Sequence, residues 1–163
     1  MPADAFHDTL STLLSELIDG ASPSGGYVLN PGDPGLLASL DRLTSADASR
    51  SSSGGATIAA HVAHVTFGIS LMNQWADGAN PFDSADWQAA WRTTSVDDAE
   101  WAELRKGLRD ELARWRPVVQ QRRELDTTGH LGMAASVVHL AYHLGAIRQI
   151  AAGARGPKGA SPP

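Results

Sequence analysis

The feature that most limits the fold is a run of apolar residues at helical spacing in the middle of the chain. Its members are separated by four, three, four and three positions: Ile58, Val62, Val65, Ile69 and Met72. That spacing places them along one side of an α-helix, so the pattern predicts a buried helix over residues 57–76. A second lane, turned by about 100° around the helix axis, carries His61, His64, Gly68, Leu71 and Trp75. The two histidines therefore border the core side of this helix.

A helix with the same arrangement is predicted over residues 131–152. Its apolar lane contains Met133, Val137, Leu140, Leu144, Ile147 and Ala151. Beside that lane lie His139 and His143, with the small residues Ser136 and Ala146 next to them. Side chains four positions apart on a helix lie one turn apart on the same face, where two neutral imidazoles can bind one divalent ion.

The first part of the chain predicts two helices and two connections. A long helix is expected over residues 3–19 and a short one over residues 36–43, since leucines recur there at helical spacing. Residues 21–35 are rich in Ser, Pro, Gly and Asn and predict a long loop, and residues 45–55 predict a polar, flexible connection. The residues expected to anchor the long loop are Tyr27, Val28 and Leu29.

A further long helix, the third in chain order, is predicted after residue 94. Ser95 and Asp98 serve as its expected start signal, and Pro117 predicts a kink or an early end near that position. The connection over residues 77–94 is long enough to let the helices before and after it run parallel. Two tryptophans in it are expected to hold the connection against the helices: Trp87 and Trp91.

Composition limits the class of protein and its partners. One domain over residues 1–153 is expected, followed by a flexible Gly-, Pro- and Ala-rich tail over residues 154–163. Because 13 basic side chains face 18 acidic ones without a basic block, nucleic acid is not an expected partner. The chain has no cysteine, which excludes disulfides and thiolate ligands. No apolar segment approaches membrane-spanning length and no signal-peptide pattern opens the chain, so a cytoplasmic protein without a membrane partner is expected.

The two histidine pairs favour a metal site if their helices pack together. Three histidines and an open position form a catalytic pattern for zinc, and imidazole also suits nickel, iron and copper. No carboxylate adjoins either pair, and no zinc-protease, phosphate-loop or nucleophile-elbow motif is present. The alternative is that the histidines are structural, as is expected for the isolated His7 and His130.

Residues 57–64 and 139–149 together resemble the DinB/YfiT-like superfamily of metal-dependent enzymes. In that superfamily, one histidine on the second helix and a pair four residues apart on the fourth helix hold one divalent ion. The resemblance covers most of the chain. It implies an all-α four-helix bundle with a long crossover between the second and third helices.

Carried over by position, the resemblance implies that His64, His139 and His143 are the metal ligands. His61 could replace His64, join it as a fourth ligand, or form a hydrogen bond around the site. The superfamily often has Trp before the Ser or Thr that opens the second helix and an acid three residues after the ligand. Here those positions hold Ala56 and Phe67.

The resemblance also implies a function. Characterised members are mostly thiol transferases that act with low-molecular-weight thiols, or isomerases, and many resemble homodimers. The expected activity is therefore a zinc- or nickel-dependent activation of a thiol or of water, for transfer to or hydrolysis of a small molecule. The alternative is a non-catalytic helical module that binds a ligand or partner and holds a structural or vestigial metal.

Overall fold

The computed structural model describes residues 3–51, 54–151 and 154 of the chain, and this part is mainly helical. Its α-helices are α1 Ala3–Asp19, α2 Leu36–Leu40, α3 Ser45–Ala48, α4 Ile58–Ala76, α5 Asp98–Gln120 and α6 Thr127–Ile150. Two 3-10 helices, Phe82–Ser84 and Ala89–Arg92, lie in the connection between α4 and α5. The described residues contain isolated β-bridges but no strand, which agrees with the predicted all-α class. None of the helices in the described ranges has both the length and the hydrophobicity needed to cross a membrane.

The four long helices form a ring of contacts in the order α4, α5, α1 and α6, and α6 packs against α4. Both α4 and α1 pack against α5 and α6. Asn73 Nδ2 donates to the carbonyl of Glu111 at 3.0 Å, and a Cβ built on Gly107 would lie 3.8 Å from Thr66. Later residues of α4 thus contact later residues of α5. The two helices therefore run in the same direction, as their long connection allows. The pairing of α4 with α6 is antiparallel, because early residues of one lie beside late residues of the other: Met72 with Gly132, and His61 with His143.

The core lies between these helices, and Trp115 is its largest fully buried side chain. Its indole is fully buried, and Nε1 donates to Ser136 Oγ at 3.1 Å, which ties α5 to α6. Burying about 200 Å² of aromatic side chain contributes roughly 5 kcal/mol of gross hydrophobic free energy. The other apolar residues of the core come from every long helix and include Leu14, Leu17, Val62, Ile69, Leu108 and Leu140.

The structure corrects two helix starts. The start predicted at Ser95 and Asp98 is wrong: Asp97 is the N-cap, and its side chain accepts from the Glu100 amide at 2.8 Å while the Glu100 carboxylate accepts from the Asp97 amide at 2.9 Å. The last helix begins at Thr127 instead of residue 131. Its cap is Asp126, whose side chain accepts from the Gly129 amide at 2.7 Å.

The expectations for the shorter elements also need correction. The segment predicted as a flexible connection from residue 45 contains α3, because Thr44 and Asp47 cap each other reciprocally. The short helix α2 ends at Leu40 instead of residue 43. The long helix α5 passes through Pro117 and ends three residues later, near the position that the proline indicated. Of the predicted tail, Ala154 is buried, and the rest lies outside the described residues.

The loop between α1 and α2 is organised by carboxylates. Glu16 on α1 accepts the backbone amides of Tyr27, Val28 and Leu29 at 2.8, 2.8 and 2.6 Å. Burial opposes ionisation, but these bonds prevail and lower the pKa of Glu16 below its usual value. These three residues do anchor the loop, but the side chain of Tyr27 is 82% exposed and takes no part. Its amide holds the loop instead.

The far end of this loop is tied to α6 by a buried ion pair. Arg148 donates to Asp33 at 3.0 Å and to the carbonyl of Pro34 at 2.6 Å. The side chains are only 15% and 2% exposed. The loop therefore contacts the long helices through charged groups that the sequence pattern did not single out.

Candidate metal centre

Four histidines converge where α4 packs against α6. Thr57 caps α4 by accepting a hydrogen bond from the Ala60 amide at 3.2 Å, and the helix begins at the next residue. His61 and His64 then face α6, where His139 and His143 lie one turn apart. His61, His64 and His143 are buried, and His139 is half-buried. The two predicted histidine lanes therefore meet in the interior.

Three of these imidazoles have the spacing of a metal-binding group. Each of His64, His139 and His143 offers one ring nitrogen, and those nitrogens all lie within 4.8 Å of one another. Nε2 of His143 is 2.9 Å from Nε2 of His139. The ring centre of His64 is 5.1 Å from that of His139 and 5.2 Å from that of His143. The three histidines are thus close enough to hold one ion.

His61 contacts the group from its other side. Its Nδ1 lies 2.8 Å from Nδ1 of His143. A neutral imidazole carries one N–H, so His143 can donate from only one of its two nitrogens. If His143 donates from Nδ1 to His61, its Nε2 keeps a free lone pair toward His139 and His64. Of the roles left open for His61 by the sequence, this contact matches the hydrogen-bonding one.

The connection between α4 and α5 covers the group with tryptophans. Trp91, in the 3-10 helix Ala89–Arg92, stacks on His64 with ring centres 4.2 Å apart and planes 26° apart. Its ring centre is also 5.4 Å from that of His61. Trp87 approaches His64 at 6.0 Å. The expected contact between these tryptophans and the helices is therefore made at the histidines themselves.

Burial keeps the imidazoles neutral. Desolvation, reinforced by the neighbouring His139 and His61, lowers the pKa of His64 to about 4. Desolvation and the other three histidines lower the pKa of His143 to about 3. Desolvation likewise lowers the pKa of His61 and of His139. Neutral imidazole is the form that binds metal ions, so the ligands need no deprotonation at neutral pH.

The donor set fits a divalent ion. Nδ1 of His64 is buried and has no hydrogen-bond partner, which is costly unless another group uses its lone pair or proton. Tetrahedral zinc with bonds of 2.0–2.1 Å separates its nitrogen ligands by about 3.3 Å. The His139 and His143 nitrogens, at 2.9 Å, are a few tenths of an ångström from that spacing. For this pair, a side-chain adjustment of a few tenths of an ångström gives the spacing of two ligands on one ion.

Each of the two isolated histidines contacts a backbone carbonyl. His7 donates from Nδ1 to the carbonyl of Val119 at 3.0 Å, near the end of α5 where carbonyls lack helical donors. His130 contacts the carbonyl of Asp126 at 2.8 Å through its own Nδ1. Neither belongs to the cluster.

No family model, curated protein or solved structure matches this chain.

Proposed function

We propose that the chain is a metal-dependent enzyme of the DinB/YfiT-like kind, in which His64, His139 and His143 hold one divalent ion. The observation that carries the proposal is the meeting of three imidazoles within 4.8 Å of one another. The contacts among the four long helices support the four-helix bundle of that superfamily. Zinc or nickel is the proposed ion, and imidazole nitrogens suit both.

The proposed activity is the activation of a low-molecular-weight thiol or of water, for transfer to or hydrolysis of a small molecule. When bound, the ion would supply Lewis acidity that lowers the pKa of the thiol or the water. His61 would accept the Nδ1 proton of His143 and so direct its Nε2 toward the ion. Trp91 would exclude solvent from the covered side of His64.

Metal binding is the first test. The protein is purified without a histidine tag, stripped with chelator and titrated with zinc by calorimetry. We expect one zinc ion per chain and a rise in thermal stability, since a ligand at one hundred times its Kd stabilises the folded state by about 2.7 kcal/mol. Absence of stoichiometric binding for zinc and for nickel would overturn the proposal.

Histidine variants identify the ligands. His64→Ala and His143→Ala are expected to abolish tight zinc binding, while His130→Ala, outside the cluster, leaves it unchanged. His61→Ala is expected to weaken binding by about 10- to 100-fold, as the loss of a hydrogen bond around a ligand does. If His61→Ala abolishes binding and His64→Ala does not, the ligand assignment on α4 is wrong.

Catalysis is the second test. Zinc-loaded protein is screened with small thiols and electrophiles, and with hydrolysable esters and amides. We expect activity that disappears in folded His64→Ala and persists in His130→Ala. Stoichiometric metal without turnover of any of these compounds would favour the non-catalytic module.

A further inference from the structure

A cleft opens beside the histidine cluster, between α4, α6 and the connection that follows α4. Its volume is about 350 Å³. Its walls include Ile69 and Met72 on α4, Phe82 and Trp87 on the connection, and His139 on α6. Phe82 and Trp87 are 38% and 42% exposed, so the aromatic wall is reachable from solvent.

The cleft and the cluster share a wall. His139 lines the cleft and also contacts His143 through Nε2 at 2.9 Å. Trp87 lines the cleft and approaches His64. Gly68 lies between them: a Cβ at this position would be 3.6 Å from the His139 ring and 4.0 Å from Trp87. The absent side chain therefore leaves open the space that leads to His139.

The cleft offers little to a charged or strongly polar ligand. None of the described residues that line it is Asp, Glu, Lys or Arg. Ser136 Oγ accepts from Trp115 Nε1 and donates to the carbonyl of Met133 at 2.7 Å, so its proton is already used. His139 remains as the polar group at the end of an otherwise apolar cleft. A carboxylate or ammonium group would lose its hydration here and gain only the imidazole of His139 as a polar partner, with no opposite charge.

We propose that this cleft binds an uncharged, largely apolar small molecule, about the size of two fused aromatic rings, and holds it against His139. Apolar pockets of a few hundred Å³ with one or two polar groups are typical of small-molecule sites. That the bound molecule is the substrate of the metal centre rests on the proposed function. The binding itself does not.

The binding is tested on metal-free protein with 2-naphthol and 2-naphthoate, which share a ring system and differ in charge at neutral pH. We expect calorimetry to detect one molecule of 2-naphthol per chain, with 2-naphthoate at least tenfold weaker. Equal binding of the two probes, or no binding of either, would overturn the proposal.

Variants locate the binding to this cleft. Gly68→Leu fills the space beside His139 and is expected to reduce 2-naphthol affinity at least tenfold. The matched control is Gly145→Leu on α6, where a Cβ meets nothing within 4 Å, and its affinity is expected to stay unchanged. Because Gly68→Leu places a large side chain beside the packed histidines, Ala135→Leu provides a second block from the exposed side of the same cleft. Unchanged affinity in folded Gly68→Leu or Ala135→Leu would overturn the assignment.

Zinc titration of the same samples separates this proposal from the proposed function. If zinc does not bind but 2-naphthol binds and is blocked by Ala135→Leu, the cleft site stands and the enzyme proposal fails. If zinc binds but 2-naphthol and 2-naphthoate bind equally, the cleft proposal fails and the enzyme proposal stands. A 2-naphthol-dependent change in sedimentation mass, in place of 1:1 binding, would assign the cleft to contact between chains and would also overturn it.

Discussion

The chain buries polar side chains in two regions that differ in how their partners are supplied. In the loop after α1, Glu16 accepts three backbone amides, and Asp33 pairs with Arg148. Each carboxylate there accepts hydrogen bonds, from backbone amides in one case and from a guanidinium in the other. In the histidine cluster, His143 is bonded only to other imidazoles, and Nδ1 of His64 is bonded to nothing.

The difference separates a structural polar network from a candidate functional one. The loop obtains hydrogen-bond donors for Glu16 and for Oδ2 of Asp33 from the chain itself, although Oδ1 of Asp33 is buried without a partner. The cluster places several basic imidazole nitrogens next to one another. A bound cation would supply the partner that their lone pairs lack. Changes in the loop should therefore alter stability without altering metal binding, and acid should act mainly on the cluster.

Acid is expected to have the largest effect on the metal-free protein. The pKa values of His64 and His143 are lowered to about 4 and about 3, from 6.5 in the unfolded chain. Between pH 6.5 and about 4 the unfolded state therefore binds more protons, and the free energy of unfolding decreases as the pH falls through this window. Urea unfolding at a series of pH values measures this. His143→Gln should make the pH dependence shallower, and a flat profile in the wild type would contradict the prediction.

Breaking the buried ion pair should have the next largest effect. Arg148→Ala leaves the carboxylate of Asp33 buried without this cation, which typically costs about 3 kcal/mol of unfolding free energy. The matched variant is Arg116→Ala, whose pair with Asp19 is more exposed and is expected to contribute less than about 1 kcal/mol. Urea unfolding compares the two. Weakened zinc binding in folded Arg148→Ala would show that the two regions are not independent.

Removing the carboxylate of Glu16 should have an intermediate effect. Glu16→Gln keeps the size of the side chain but loses acceptor capacity for the three amides, for an expected cost of about 2 kcal/mol. Since the pKa of Glu16 is lowered, its contribution is present above the unfolded value and is lost as the pH falls through the folded one. Hydrogen exchange should accelerate at residues 27–29. Unchanged exchange there would mean that the loop is held by other contacts.

The smallest effect, an increase in stability, is expected from a substitution beside the histidine cluster. Gly68→Ala should raise the free energy of unfolding by about 0.5–1 kcal/mol, because alanine favours helix more than glycine. The added Cβ would make ordinary contact with His139 at 3.6 Å. Gly145→Ala is the control for helix propensity alone. A loss of stability specific to Gly68→Ala would show that the space beside His139 cannot accept even a methyl group.

Much of the helical framework could be predicted because apolar spacing records which side of each helix is buried. The bounds of α1 match the prediction, and α4 begins directly after Thr57, as its cap indicates. The start of α6 was misplaced because its apolar lane begins after the true cap, and that of α5 because Ser95 and Asp98 have the spacing of a capping pair two residues before the true one. The signals were nevertheless present, as an Asp97–Glu100 pair and as Asp126.

The histidine lanes could be predicted from the same periodicity, and the structure brings them together. The stacking of Trp91 on His64 could not, since it depends on how an irregular connection folds over a helix. The contact of His61 with His143 depends on the relative rotation of α4 and α6, which spacing within one helix does not contain. Metal binding by His64, His139 and His143 stays a prediction until it is measured.

The pairing of His61 with His143 joins positions 82 residues apart in a chain without cysteine. An ion held by α4 and α6 would therefore act as a reversible cross-link, with the topological role that a disulfide has in other small proteins. For covalent links, closing a loop of this length removes about 4–5 kcal/mol of chain entropy from the unfolded state. Chelator would open this link as a reductant opens a disulfide, and the resistance of the chain to mechanical or proteolytic opening would then depend on the supply of metal.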